Sequence, residues 1–289
     1  MPSEQGAKAM HVTPRDNPPR SDLMPIGLEP ALLEPAELHD ALARAQIQTL
    51  YQPIVRIADR RLTGFEVLAR LAHPTLGTLL PWRFIPPMEA AGLSWPLTQA
   101  VMRRAFADWG DGRLRALGCT LSLNVPLDVV LHGTAMRALD AERASAGIAA
   151  GEILIELTES QQISRLPALK AAANDLRRAG YGLAIDDVGP AIRDHRALLD
   201  LPFTVLKLDK ALVQSAVTDA EADAFLCAAL RDARQAGLLV TAEGLENTQT
   251  WRYLAERGVD EAQGFMIGHP MPSAGIAAWL ADWVEKRRN

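Results

Sequence analysis

The 289-residue chain carries only two cysteines, Cys119 and Cys227, both inside apolar segments and neither in a C-x-x-C pair. A disulfide scaffold or a cysteine-built zinc site is therefore not expected, and both read as small, reduced, apolar side chains. His11, His39, His73, His132, His195 and His269 are scattered without ligand spacing and read as surface or loop residues. No stretch offers the roughly 18 consecutive apolar residues that span a bilayer. The amino end, MPSEQGAKAM, also lacks the charged-then-apolar pattern of a secretory signal. These absences point to a cytoplasmic protein without a membrane span. Basic charge is short as well, with 30 Lys+Arg against 35 Asp+Glu and a net charge of −5. No broad basic field exists to hold a phosphate backbone, so a long DNA or RNA partner is not expected.

What is present is ordinary globular material, 48% hydrophobic and 22% charged, enough for a sizeable core. Proline is unevenly spread: seven of the 19 fall in the first 35 residues (Pro2, Pro14, Pro18, Pro19, Pro25, Pro30, Pro35). Residues 1–36 therefore read as a Pro-rich, disordered tail and residues 37–289 as the folded domain. From Glu37 the pattern turns regular, with Leu38, Leu42, Ala45 and Ile47 at near-helical spacing before the apolar stretch Tyr51 to Ile57. Seven further short runs follow: LTGFE ending at Glu66, TLSLN at Asn124, EILIE at Glu156, GLAIDD at Asp187, TVLKLD at Asp209, LLVTAE at Glu243 and EAQG around Gln263. Helical periodicity between them predicts helices over Leu97 to Trp109, Leu166 to Ala179, Ala220 to Ala236, Thr248 to Arg257 and Ala274 to Lys286. Gly110, Gly180, Gly237 and Gly258 stand where several of these would end. Eight strand runs in about 240 residues match an α/β fold of the (β/α)8 barrel type. An open, doubly wound sheet is the competitor that periodicity alone does not separate.

The residues closing these runs are polar: Glu66, Asn124, Glu156, Asp186 with Asp187, Lys207, Glu243 and Gln263. In a barrel the carboxyl ends of the strands share one face, where active sites of this fold are built. A single polar residue there commonly marks only where a strand meets solvent. Five carboxylates converging on one basin would resist ionising together unless a cation compensates. Oxygen donors without clustered His or Cys point to Mg2+ or Mn2+. Two such ions roughly 3.5 to 4 Å apart, bridged by one carboxylate, suit in-line attack on a phosphoester. Lys207 would then orient the attacking water and stabilise developing charge; its alternative role is a structural ion pair inside an acidic basin.

The motifs carry a resemblance. YQPI at 51–54, FEVLAR at 65–70, FIP at 84–86, SLNV at 122–125, IELTES at 155–160, AIDDVG at 184–189, LKLDK at 206–210, AEGLE at 242–246 and AQGF at 262–265 occur in this order. Each is weak alone, but together the chain resembles EAL-domain proteins, the family of cyclic di-GMP phosphodiesterases. The resemblance implies a modified TIM (β/α)8 barrel whose first strand runs antiparallel to the others, and metal-dependent hydrolysis of cyclic di-GMP to pGpG. By the same resemblance Glu66, Asn124, Glu156 and Asp186 would hold one metal, with Asp186 bridging to a second ion served by Asp187 and Glu243. The catalytic set would be Glu66, Lys207 at the water nucleophile, Glu243, and Gln263 fixing the ligand sphere. Arg70 would reach a substrate phosphate, and Gln52 and Leu68 would line the nucleotide site.

Two departures stand out. The signature Glu-Ala-Leu reads Glu66-Val67-Leu68, which keeps the carboxylate and adds two methyl groups beside it. The family loop DDFGTGYSSL is rewritten as Asp186-Asp187-Val188-Gly189-Pro190-Ala191-Ile192-Arg193-Asp194-His195, with 19 residues still separating Asp187 from Lys207. Pro190 fixes φ and deletes a backbone donor, and Ala191 replaces a residue free to take positive φ. In the family this loop is steadied by a glutamate at the position of Glu159 and contributes to homodimer contacts. An active phosphodiesterase is therefore the leading expectation. A catalytically silent barrel that binds cyclic di-GMP and signals through a protein partner is the alternative. A different Mg2+-dependent barrel enzyme of the enolase kind fits the bare ring of carboxylates and lysine but not YQPI, FIP or AQGF.

Overall fold

Short aliphatic runs bounded by Gly, Pro, Asp or Asn become strands, because β-branched side chains pack well on a pleated surface and the bounding residues end it. They are β1 (Ile47–Arg56), β2 (Leu62–His73), β3 (Gly77–Leu79), β4 (Thr120–Asn124), β5 (Ile153–Thr158), β6 (Gly182–Val188), β7 (Val205–Leu208), β8 (Leu239–Ala242) and β9 (Glu261–Gln263). The computed structural model describes residues 33–110, 114–158, 166–189 and 196–288. The sequence readings placed on residues 1–32, on Glu159 and on Pro190 and Ala191 lie outside the described residues.

The sheet order is β1-β9-β8-β7-β6-β5-β4-β2-β3, and β1 also pairs with β2. Eight strands thus close into a barrel, while β3 extends β2 on the outside. Strand β1 is antiparallel to both neighbours, β2 and β9, whereas β2 and β4 through β9 run parallel. This is the modified TIM barrel with one antiparallel strand, and the open sheet is set aside.

The helices between strands are α1 (Pro35–Ala43), α2 (Pro81–Ala90), α3 (Ser94–Gly110), α4 (Leu127–Leu131), α5 (Gly133–Ser145) and α6 (Leu166–Arg178). The later ones are α7 (Arg196–Leu199), α8 (Lys210–Ser215), α9 (Ala220–Ala236), α10 (Thr248–Arg257) and α11 (Ile276–Arg288). Several differences from the sequence reading have local causes. Ala45 has φ +52° and Ile47 opens β1, so the spacing of Leu38, Leu42, Ala45 and Ile47 spans a helix and a strand. Gly110 is the last residue of α3, while Gly180, Gly237 and Gly258 take positive φ after α6, α9 and α10. Helix α2 contains Pro86 and Pro87, residues that argue against a helix in isolation, yet Phe84 and Met88 are buried. Strand β2 does not stop at Glu66 but runs on to His73.

That extension positions part of the site. The barrel interior and its helices form one apolar core, including Tyr51, Phe65 and Met102. A smaller core forms where β1 and β2 outrun the barrel, from Leu38, Ile47, Leu71, Leu79, Phe84, Met88 and Leu97. Because β1, β2 and α3 each enter both, the far end of β2 is held firmly. Strand alternation puts Glu66, Leu68 and Arg70 on one face, opposite Gln52, Leu50 and Gln48 of β1 in register.

The loops after β8 and β9 interlock just as closely. Leu245 donates its N–H to the Gln263 carbonyl at 3.0 Å and accepts from Met266 N at 3.0 Å. A Cβ on Gly264 would sit 2.2 Å from both the N and O atoms of Leu245. Gly264→Ala is therefore expected to lower the unfolding free energy by about 3 kcal/mol, measured by urea denaturation, because a backbone segment must shift to relieve the overlap.

Candidate active site

Each polar strand-end residue is delivered to one mouth of the barrel. Asn124 closes β4, Glu156 is the fourth residue of β5, Lys207 lies in β7, Glu243 follows β8 and Gln263 closes β9. Glu66 comes from β2 and stands opposite Gln52 of β1. Asp186 and Asp187 are consecutive, and simple alternation would send them to opposite faces. An irregularity in the β6–β7 register and φ +59° at Asp187 break that alternation. As a result the carboxylate oxygens of Asp186, Asp187 and Glu243 lie within 4.8 Å of one another. Left-handed backbone at a non-glycine residue costs roughly 1 kcal/mol or more, and Asp and Asn tolerate it best.

Lys207 is the centre of the basin, with its side chain 1% exposed. Its Nζ lies 2.6 Å from Glu243 Oε1, 3.0 Å from Glu156 Oε2, 3.2 Å from Asp186 Oδ1 and 3.8 Å from Glu66 Oε2. A chain of amides holds the opposite wall. Asn124 Nδ2 donates to Glu66 Oε1 at 2.8 Å, and Gln263 Nε2 donates to Glu66 Oε2 at 2.6 Å. Gln263 Nε2 also donates to Gln52 Oε1 at 2.9 Å, and Gln52 Nε2 donates to the Gly268 carbonyl at 3.2 Å. Glu66 is thus clamped on both oxygens, and Gln52 acts through Gln263.

One lysine among four carboxylates leaves the basin short of positive charge. Burial, with Glu66, Asp186 and Glu243 nearby, drives the Glu156 carboxyl well above its ordinary value, although Lys207 opposes this. Burial likewise pushes Glu243 up to about 8, helped by Asp186 and Glu66 and opposed by Lys207. Burial alone would lower Lys207, but the surrounding carboxylates dominate and raise it well above 10.5. At neutral pH, then, the lysine is charged and part of the acid set holds protons.

The donor set fits a hard divalent cation. Glu156 Oε1 and Gln263 Oε1 are buried and accept no hydrogen bond, an arrangement that costs about 1–3 kcal/mol per atom unless something fills it. With the Asp186, Asp187 and Glu243 cluster, all the donors are oxygen, as Mg2+ and Mn2+ prefer.

The raised acids also set a pH dependence. Glu243 goes from 4.5 to about 8 on folding, so the metal-free native state binds more protons than the unfolded chain between those values. Its contribution is greatest below pH 4.5 and is lost as the pH rises through about 8. Lys207, raised above 10.5, contributes nothing to the slope in that window. Thermal melts in EDTA are therefore expected to show falling stability from pH 5 to 8, on the order of 1 kcal/mol or more. Added Mg2+ or Mn2+ should flatten the slope, because a cation replaces the retained protons. A melt whose pH dependence ignores metal would refute the site as a cation centre.

Not every expected residue joins the hydrogen-bonded cluster. Leu68 and Arg70 share the Glu66 face of β2 but lie farther along the strand, and Arg70 Nη1 donates to the Ala69 carbonyl at 2.8 Å. Sequence reasoning missed Ser122, fully buried with its Oγ unpartnered; its place two residues before Asn124 on β4 was the available signal. It also passed over a rim where Lys210 pairs with Glu246 at 2.9 Å and its ammonium lies 5.6 Å from the Phe265 ring centroid.

A family model described as the EAL domain matches residues 36–270. The chain belongs to the EAL domain family. A cyclic di-GMP phosphodiesterase of Pseudomonas aeruginosa is 31% identical over 231 residues, 80% of this chain and 39% of that protein. The probable cyclic di-GMP phosphodiesterase PdeN of Escherichia coli is 31% identical over 264 residues, 89% of this chain and 49% of that protein. This EAL domain thus spans less than half the length of these two relatives. Among solved structures, the PaMucR phosphodiesterase in complex with c-di-GMP superposes with a TM-score of 0.76 at 26% identity, over 83% of this chain and 98% of that one. The FimX EAL domain from Pseudomonas aeruginosa bound to c-di-GMP, at 19% identity and a TM-score of 0.74, shares the fold over 82% of this chain and 95% of that one.

Proposed function

We propose that this EAL domain hydrolyses cyclic di-GMP to linear pGpG with two Mg2+ or Mn2+ ions. The reading rests above all on Lys207, buried among Glu66, Glu156, Asp186 and Glu243 beside the Asp186, Asp187 and Glu243 oxygen cluster. Glu66, Asn124, Glu156 and Asp186 would hold one ion, and Asp186, Asp187 and Glu243 the other. The ions, when bound, supply electrostatic stabilisation of the charge that develops on a phosphoester under attack.

The chain's own groups do the rest. Lys207 Nζ is positioned to hydrogen-bond the attacking water and to stabilise negative charge in a water-poor basin. Glu243 would be ionised once a cation offsets the burial and like charges that raise it in the metal-free protein, and as a carboxylate it can accept the water's proton. The new bond joins water oxygen to phosphorus; the bond broken is the phosphorus to ribose 3′-oxygen bond, which opens the ring. Gln263, steadied by Gln52, keeps Glu66 in place. Arg70 and Leu68, on the Glu66 face of β2, meet the phosphate and the nucleotide. The proposal carries with it a cytoplasmic homodimer, testable by light scattering.

A chromatographic time course of the purified chain with cyclic di-GMP is the test. pGpG is expected with Mg2+ or Mn2+ and none with EDTA. A second reading, a receptor that binds cyclic di-GMP without turning it over, is favoured by Pro190 and Ala191 after the Asp pair. It would replace the first if a folded protein bound cyclic di-GMP yet produced no pGpG.

A further inference from the structure

The opposite end of the barrel carries a second concavity. A cleft of about 960 Å3 is lined by Arg56, Asp59, Arg60, Leu239, Trp251 and Arg287, among others. It lies where β1 ends and β8 and β9 begin, the strand ends away from Lys207 and Glu243.

The turn from β1 to β2 forms one wall. Arg60 in that turn has φ +56°, a left-handed conformation that favours glycine and costs other residues about 1 kcal/mol or more. Its backbone is pinned there, since the Arg60 carbonyl accepts a hydrogen bond from Trp283 Nε1 at 2.9 Å. Its guanidinium lies over the Trp251 ring, 5.4 Å from the centroid. Among the described residues neither Arg60 nor Arg287 forms an ion pair, whereas the acids nearby are engaged. Asp59 pairs with Arg56 at 3.3 Å and Arg61 at 4.0 Å. Asp260 accepts from the Val240 N–H at 2.9 Å, and Glu261 from the Thr241 hydroxyl at 3.1 Å. Arg60 and Arg287 thus have no ion-pair partner among the described residues, although Asp260 and Glu261, held by neutral donors, line the same cleft. Beside them Leu239 is 50% exposed, an apolar surface next to Ala255 and Trp251.

We infer that this cleft binds a nucleotide-sized organic phosphate, with Arg60 and Arg287 taking the phosphate and Leu239 and Ala255 the apolar body. The guanidinium fork matches a phosphate's oxygens in paired hydrogen bonds, which favours this anion over a halide or a single carboxylate. The volume is at the upper end of the roughly 300–1,000 Å3 typical of small-molecule sites, far more than an inorganic ion fills. The inference is independent of the hydrolysis reading, because none of these residues belongs to the carboxyl mouth.

The test is isothermal titration of the full chain in EDTA with GMP as probe and inorganic phosphate for comparison. Arg60→Gly removes the guanidinium and relieves the positive φ, so it is expected to melt no lower than wild type; Arg287→Ser is an exposed change. Saturable GMP binding is expected, weakened about tenfold by each substitution and unchanged in Glu66→Ala, which alters only the carboxyl mouth. Metal-supported hydrolysis should be unchanged in both arginine variants. Absence of saturable GMP binding, or equal affinity in the Arg60→Gly, Arg287→Ser double variant, would overturn the site. Inorganic phosphate binding as tightly as GMP would overturn the assignment to an organic ligand.

Discussion

Lys207→Met is expected to lose hydrolysis by about a thousandfold or more and, in the absence of metal, to be the least stable of the site variants. Methionine matches the lysine stem in shape and flexibility, so the change is chiefly one of charge. Among the described residues Lys207 is the only cation paired with Glu66, Glu156 or Glu243. Removing one member of a buried ion pair typically costs about 3–5 kcal/mol, because the partner is left charged and unsolvated. The deficit should be largest near pH 8 and shrink toward pH 5, where Glu156 and Glu243 escape by holding protons. Divalent metal should then restore the melting temperature without restoring turnover, since the metal would replace the lysine's charge but not the hydrogen bond to water proposed for it. Melts across pH, paired with the chromatographic assay, read both effects. A variant that keeps its activity would remove Lys207 from the mechanism.

Glu66→Ala separates activity from folding in the opposite way. Loss of the proposed metal ligand should again lower turnover by about a thousandfold or more. Stability of the metal-free protein should change little, within about 1 kcal/mol, because two effects oppose. The amides of Asn124 and Gln263 each lose an acceptor, which destabilises. At the same time Glu66 ceases to push up the proton affinities of Glu156 and Glu243, which relieves repulsion. The variant is therefore a clean control for contaminating phosphodiesterase. Unchanged hydrolysis by it would sink the proposed chemistry, and a large drop in melting temperature would show that the amide clamp outweighs the repulsion.

Much of the barrel was legible because its signals are local. Aliphatic runs at regular intervals, each closed by a polar residue, revealed both the strands and the basin they share. What escaped is non-local or conformational. Glu66 looked like the end of a strand because a carboxylate normally meets solvent, yet β2 continues through Leu68 and Arg70 to pack Leu71 into a second small core. Helix α2 was hidden by its prolines, which only the burial of Phe84 and Met88 overrides. Asp186 and Asp187 were both read into the basin, but the positive φ at Asp187 that brings them there together is revealed by no composition. The hydrogen bonds of the Gln52 amide with Gln263 and the Gly268 carbonyl join residues 211 and 216 positions apart, beyond the reach of local pattern.

The antiparallel closing strand governs when during synthesis the barrel closes. Gln52 and Gln263 meet across 211 positions, so the wall that clamps Glu66 cannot exist until β9 has left the ribosome, roughly ten seconds or more after β1 emerges at common elongation rates. Until β9 arrives, β1 and β8 offer open edges that another nascent chain could extend. Rapid formation of the β1–β2 hairpin covers only the other edge of β1, so the edge that awaits β9 stays open until β9 arrives. A message truncated before Glu261 would accordingly yield an adhesive open sheet with no complete basin, whose first consequence would be aggregation.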